Sequence, residues 1–199
     1  MPRAKGADGP AQEIQLQTIR REQFAVKIVG VTPLLFNKFS ERALDVLEGS
    51  QFGHAKELPK IRVVEEEVRE KLHICDDGRY GCPADAIHQA AATAAYRVGV
   101  SSSIVKPLGM FSIPVSLIPI DGPEPTALRS WVRLANGSPM TVYRPQFWPW
   151  QMVVPIVYIA GPISVEAIVN MLNLAGSAVG IGAWRIEKRG NYGQFRVEE

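Results

Sequence analysis

The sequence has few cysteines, little net charge and no long apolar run. Two cysteines in 199 residues do not form a disulfide framework, which favours a reducing compartment such as the cytoplasm. A net charge of +2 excludes a surface that is basic throughout, so any nucleic-acid contact must be local. No window approaches the roughly 18 consecutive apolar residues that span a membrane. The sequence therefore predicts no membrane-spanning helix.

Composition and chain length predict one globular domain. Hydrophobic residues make up 46% of the chain and charged residues 21%, which is enough to build an apolar core. The first residues are polar and rich in Gly, Pro and Ala, so residues 1–20 are predicted to form a flexible arm. Residues 21–199 are predicted to form a single domain, with an irregular polar insertion at about residues 50–62.

The order of predicted elements is that of an α+β protein. The sequence predicts a first strand over 22–30, a helix from Ser40, a turn at Asp76-Asp77-Gly78, an alanine-rich helix over 83–99 that starts with Pro83, several strands between 110 and 160, a helix capped by Ser164 that ends at Gly176, and a last strand. Pro155 predicts an edge or a bulge in the strand that contains it. Helices between antiparallel strands favour an RRM-like or ferredoxin-like sheet with insertions.

One glycine-rich stretch near the C-terminus, GIGAWRIEKRGNYGQF at residues 180–195, draws attention as a candidate site. It follows a helix and leads into a strand, which is the reverse of a dinucleotide-binding loop, so nucleotide binding of that kind is excluded. Two interpretations remain. The stretch is a glycine-tolerant hairpin with Trp184 and Phe195 in the core, or it is a basic loop laid over a nucleic-acid backbone, with charge from Arg185, Lys188, Arg189 and Arg196.

Three motifs resemble those of the RAMP superfamily, the RRM-like proteins of CRISPR effector complexes. The glycine-rich stretch stands where these proteins carry a glycine loop. VGVTPLL at residues 29–35 resembles their first-strand G-x-T-P-L motif, and YGCPADAI at residues 80–87 resembles the start of their helix. The chain departs from the family at His88-Gln89, where a lysine is usual. VGIGAWRIEKRGNYGQFRV and RPQFWPW also resemble an uncharacterised family of phage proteins.

The resemblance implies a non-enzymatic protein that binds single-stranded RNA or DNA as a repeated subunit along the strand. Its implied partners are the nucleic acid, further copies in an oligomer or filament, and other CRISPR-type subunits, in the cytoplasm of a bacterial or phage-infected cell. No cofactor and no metal are implied. The implied contacts are Lys27, Arg144, Gly180, Gly182, Arg185, Lys188, Arg189 and Gly193.

Other interpretations remain open beside this one. The chain is an interaction module, such as a phage inhibitor or assembly factor that mimics a CRISPR subunit, or it is a metal-independent endoribonuclease in which His54 is the residue to test. His54, His73, Cys75, Cys82 and His88 match the spacing of a zinc site poorly, and no partner orients a cysteine nucleophile. The aromatic residues around Arg144 are predicted to pack, with one or two free to stack on bases.

Overall fold

The computed structural model describes residues 20–39, 63–97, 111–133 and 137–198. The predicted helix at Ser40 and the insertion at 50–62 lie outside these ranges, as does the predicted arm apart from its last residue. The described strands are β1 (Arg21–Gly30), β2 (Leu34–Leu35), β3 (Gly81–Pro83), β4 (Phe111–Ser112), β5 (Leu117–Pro119), β6 (Thr126–Arg133), β7 (Pro139–Phe147), β8 (Gln151–Ile159) and β9 (Phe195–Val197). The helices are α1 (Val64–Glu70), α2 (Ala84–Arg97) and α3 (Val165–Ala178).

A four-stranded antiparallel sheet carries the core, in the order β4-β8-β1-β9. The strand predicted over 22–30 is confirmed as β1, in which Val26 and Ile28 are buried and Lys27 between them projects from the other face. Ile87 of α2 and Ile168 of α3 belong to the same buried cluster as these two strand residues. Both helices therefore cover one face of the sheet, and the fold is α+β as predicted.

Pro155 lies inside β8, a strand that has a neighbour on each side. The hydrogen bonds from Gly30 N–H to Trp150 C=O and from Ala160 N–H to Arg20 C=O place even-numbered residues of β8 in the hydrogen-bonded pairs with β1. Pro155, opposite Ala25, therefore turns its nitrogen away from β1. On that side the described β4 pairs only with Val157 and Tyr158. The missing N–H thus faces a part of β8 that no described strand pairs, as an edge position requires.

A second sheet, β2-β7-β6, is built on a long hairpin. Gly137 lies between β6 and β7 with φ +84°, a backbone conformation that favours glycine and is common in hairpin connections. Residues of β6 alternate, so Ser130 faces Arg144 of β7 while Trp131 projects outward with 65% of its surface exposed. Helix α1 packs against β7 through Glu67, whose carboxylate accepts a hydrogen bond from Tyr143 N–H. The hairpin therefore has one packed face and one open face.

Two predicted boundaries are wrong, and both errors have a packing cause. Pro83 ends β3 and pairs with Leu117 instead of starting the helix, because Gly81 to Pro83 form a short ladder with β5. The last helix continues past Gly176 to Ala178. A Cβ on Gly176 would lie 2.0 Å from the Phe195 carbonyl oxygen, so this glycine lets β9 approach the helix and does not end it. The predicted start of α3 is confirmed, since Ser164 Oγ accepts a hydrogen bond from Ala167 N–H at 3.1 Å.

Within the described ranges, no helix combines the length and apolar character that crossing a membrane requires.

Candidate nucleic-acid interface

The glycine loop, residues 180–193, runs from the end of α3 to the start of β9. Gly180 N–H donates to Ala175 C=O at 2.8 Å, which turns the chain out of the helix. The loop is not an extended strand, because Ile186–Lys188 form a single 3-10 turn. Gly180, Gly182 and Trp184 all have positive φ, from +52° to +76°, while the residues between them do not. Alternation of this kind folds the loop back on itself.

The glycines of the loop permit close contacts within the protein. A Cβ on Gly182 would lie 2.4 Å from the Leu35 carbonyl oxygen, and the next residue, Ala183, donates its N–H to that same oxygen at 2.8 Å. Gly193 N–H donates to Pro33 C=O at 2.8 Å. The loop is thereby fixed against the segment after β1. These contacts explain the glycines without a ligand, and the contacts of Gly180, Gly182 and Gly193 with nucleic acid stay a prediction.

A cleft of about 570 Å³ lies between the glycine loop and helix α2. The loop forms one wall with residues 180–185, Glu187 and Lys188. One face of α2 forms the other wall, and segment 36–38, His73 and Arg144 complete the lining. The α2 positions follow helical spacing: Pro83 just before the helix, then Ala86, Gln89, Ala90 and Thr93. Of the predicted contact residues, Arg144, Gly180, Gly182, Arg185 and Lys188 meet here.

Arg144 is a buried cation of the cleft, with 6% of its surface exposed. Its guanidinium carbon lies 4.8 Å from the centre of the Trp184 ring, and its Nη1 donates to Ser130 Oγ at 2.6 Å. Burial lowers the pKa of this guanidinium from its ordinary value, while the nearby Glu67 carboxylate acts in the opposite direction. An arginine keeps its proton at neutral pH in spite of such a shift. Trp184 is half-buried and covers Arg144, so it is not the core residue that the hairpin interpretation predicts. Phe195, the other aromatic residue of that interpretation, is buried as predicted.

The other basic residues of the loop differ in availability. Arg185 Nε donates to Glu187 Oε2 at 2.8 Å and its Nη1 to Gly182 C=O at 3.2 Å, so much of its hydrogen-bonding capacity serves the loop itself. Lys188 and Arg189 are both exposed. Arg189 has φ +61°, where it closes the 3-10 turn. Lys188 and Arg189 are thus the loop cations best placed to meet a ligand in solution.

Lys27 lies on a different surface from the cleft. It projects from the face of the sheet opposite the helices and forms an ion pair with Glu198. Arg196, opposite Val29 on the neighbouring strand, is exposed on the same face. Lys27 is therefore separated from the predicted contact residues that line the cleft.

Sequence reasoning missed two parts of the cleft. His73 and Lys38 line it, and burial, followed by the charge of Lys38, lowers the pKa of the His73 imidazole. The α2 wall was also missed. Its spacing of small and polar residues was visible in the sequence, but the buried stripe of Ile87, Ala91 and Ala94 on the same helix is the stronger signal.

The remaining candidate residues have structural surroundings. Cys82 is fully buried, and burial raises the pKa of its thiol to about 12, so this cysteine is a small apolar residue of the core. In the described ranges, no three His, Cys, Asp or Glu residues are grouped as metal ligands would be. Phe147 and Trp150 pack in the core, while Trp148 is 46% exposed. His54 lies outside the described residues.

Comparison with known proteins adds little to this description. No protein-family model matches the chain, and no curated protein matches it. Among the solved structures that match is the crystal structure of Cmr6 from Pyrococcus furiosus, with 10% sequence identity and a TM-score of 0.42. The match covers 91% of this chain and all of that one. A likeness at this level carries no information on function.

Proposed function

We propose that the protein binds single-stranded nucleic acid, RNA or DNA, and performs no chemistry on it. The observation that carries the proposal is a cleft that has one buried cation and further cations at its exposed edge. Arg144 lies at the bottom, and Lys188 lies at the edge beside the exposed Arg189. Phosphate contacts supply most of the affinity in sequence-independent binding, and a local group of cations serves this purpose on a nearly neutral protein.

The order of strands supports a finer proposal about the fold. The elements β1, α2, β4, β8, α3 and β9 occur in this order along the chain, with other elements inserted between some of them. Their order along the chain and the sheet order β4-β8-β1-β9 match the pattern of a ferredoxin-like unit. The hairpin β6–β7 is then an insertion between β4 and β8. Together with the three motifs, this order supports a RAMP-like subunit that acts in the cytoplasm and assembles in repeated copies, alone or with other CRISPR-type subunits.

Removing the exposed loop cations should weaken binding and reduce its salt dependence. We expect Lys188→Ala combined with Arg189→Ala to lower the affinity for a fluorescent single-stranded oligonucleotide by about tenfold or more at low salt. The slope of log affinity against log salt should fall by about 1.4, because each phosphate contact on a single strand contributes about 0.7. Fluorescence anisotropy across a salt series measures both quantities, with RNA and DNA oligonucleotides in parallel.

A matched pair of cations provides the control for this experiment. Arg129 and Arg133 are exposed on the open face of β6, which is the opposite face of the hairpin from Arg144. Their double change to alanine removes the same charge and should leave affinity and slope within about twofold of the unchanged protein. Absence of oligonucleotide binding at low salt, or binding that salt does not weaken, would contradict the proposal.

A second candidate function is docking to a protein partner, which the exposed Trp131 favours. A large aromatic residue at 65% exposure between two arginines has the composition of an interface centre. This candidate predicts no intrinsic nucleic-acid affinity. Size-exclusion chromatography with light scattering, with and without an oligonucleotide, separates the two, because only the first candidate predicts assembly that depends on the oligonucleotide.

A further inference from the structure

The described charged side chains around Arg144 carry an excess of positive charge. Lys71 Nζ donates to Glu67 Oε1 at 2.7 Å and to Tyr143 C=O at 2.6 Å, and both the Lys71 and Glu67 side chains are largely buried. Arg144 lies near the same carboxylate, which acts on its pKa. Two cations thus face one anion in this group, which leaves one positive charge. A buried charge is costly unless an opposite charge or hydrogen-bond acceptors compensate it.

The guanidinium of Arg144 retains an unused donor. The indole of Trp184 stacks on its face, and Nη1 is bound to Ser130. Nε is buried, and no hydrogen-bond acceptor contacts it in the described part of the chain. An arginine whose face and one end are already held is oriented for recognition of an oxyanion through its remaining edge.

The walls of the cleft fit more than an anion. Its volume of about 570 Å³ lies in the range of sites that hold small organic ligands, and a phosphate group alone fills only a fraction of it. Pro83, Ala86 and Ala90 give the α2 wall a small-residue, apolar surface, and Gln89 and Thr93 add an amide and a hydroxyl. An apolar wall beside hydrogen-bonding side chains suits a nucleobase, whose face is apolar and whose edge forms hydrogen bonds.

From these observations we infer that the cleft is a subsite for one nucleotide, which inserts its base against the Pro83–Ala90 wall and places its phosphate on Arg144. This inference rests on the proposed binding of single-stranded nucleic acid and specifies it. Lys188, at the edge of the cleft, and the neighbouring Arg189 contact the strand beside this nucleotide, and a small displacement of the Trp184 indole admits a phosphate oxygen to Nε. Each protein molecule thereby holds one nucleotide of the strand in its cleft.

A substitution that fills part of the cleft tests the subsite without removing any cation. Ala86 lines the cleft and is half-buried, so Ala86→Leu should occupy part of the space that the base requires. We expect affinity for the oligonucleotide to fall by tenfold or more while its salt slope stays unchanged. Ala92→Leu is the control, since Ala92 lies on the same helix, is half-buried and does not line the cleft. Unchanged affinity in Ala86→Leu would overturn the subsite while leaving the proposed function intact.

A free nucleotide separates the subsite from strand binding. In calorimetric titrations, uridine and adenosine 5′-monophosphates should bind the unchanged protein more tightly than the nucleosides without phosphate. Arg144→Gln should lose this difference, whereas Arg144→Lys should recover only part of it, since lysine lacks the planar fork. If the unchanged protein binds monophosphates and nucleosides equally, or binds neither, the subsite is overturned even where the oligonucleotide binds.

The failures of the two proposals remain distinguishable. Binding of monophosphates that Arg144→Gln abolishes, in a protein with no affinity for oligonucleotides, would support the subsite and refute strand binding. Thermal unfolding of each variant shows whether it folds. If Arg144→Gln does not fold, Arg144→Lys and Ala86→Leu decide the question, because each must reduce monophosphate binding relative to Ala92→Leu.

Discussion

Replacement of Gly193 by alanine should destabilise the protein by about 3 kcal/mol or more. The added Cβ would lie 1.8 Å from the Ile181 carbonyl oxygen, and Gly193 has φ +67°. Left-handed backbone costs a non-glycine residue about 1–2 kcal/mol, and forcing an atom into packed surroundings costs about 1–3 kcal/mol more. The contact is with backbone, so no side chain can rotate to relieve it.

The change should also open the glycine loop. Gly193 N–H donates to Pro33 C=O, and its C=O accepts from Ile181 N–H. The clash with Ile181 therefore disturbs both the contact between the two halves of the loop and the contact of the loop with the segment after β1. We expect the midpoint of urea unfolding to fall and oligonucleotide affinity to fall with it. Equilibrium denaturation by fluorescence and circular dichroism measures the first effect, and anisotropy measures the second.

Gly137 supplies the control for the effect of backbone conformation alone. It also has positive φ, +84°, but a Cβ there would meet no atom of the described residues within 4 Å. Gly137→Ala should therefore cost only about 1–2 kcal/mol, the conformational part of the penalty. Equal losses in the two variants would show that crowding against Ile181 contributes nothing, and would contradict the close contact of Gly193 with the Ile181 carbonyl.

Local signals in the sequence predicted the parts of the fold that depend on local physics. The apolar alternation of β1 and the hydroxyl cap at Ser164 need only the chain within a few residues, and both are confirmed. The end of α3 was mispredicted because Gly176 was interpreted by its low helix propensity. Its role depends on Phe195, 19 positions away, whose carbonyl oxygen lies against it.

The candidate site was predictable in composition but not in arrangement. The glycine loop and its cations were visible as a local excess of Gly, Lys and Arg. The burial of Arg144 was not, because an arginine in a strand is expected at the surface. The Trp184 ring, Ser130 and the nearby Glu67 carboxylate make the buried position tolerable. The separation of Lys27 from the cleft depends on strand order, which single-sequence patterns do not determine.

Replacement of Gly176 by alanine should reverse the usual effect of this change in a helix. Glycine to alanine within an α-helix normally stabilises a protein by about 0.5–1 kcal/mol. Here the Cβ would lie 2.0 Å from the Phe195 carbonyl oxygen and 2.8 Å from its ring, so β9 and α3 must move apart. The hydrogen bond from Val197 N–H to Asn173 Oδ1 at 2.7 Å would be strained by the same movement.

We expect Gly176→Ala to lower the free energy of unfolding by about 2–3 kcal/mol, as overpacking against a rigid neighbour does. Ser177→Ala is the control, because Ser177 is exposed on the same helix and its substitution should change stability by about 0.5 kcal/mol or less. A stabilised Gly176→Ala variant would mean that β9 does not lie against α3 at this distance. The path of the chain from the glycine loop into the last strand would then differ from the one described, and with it the wall of the cleft that the loop provides.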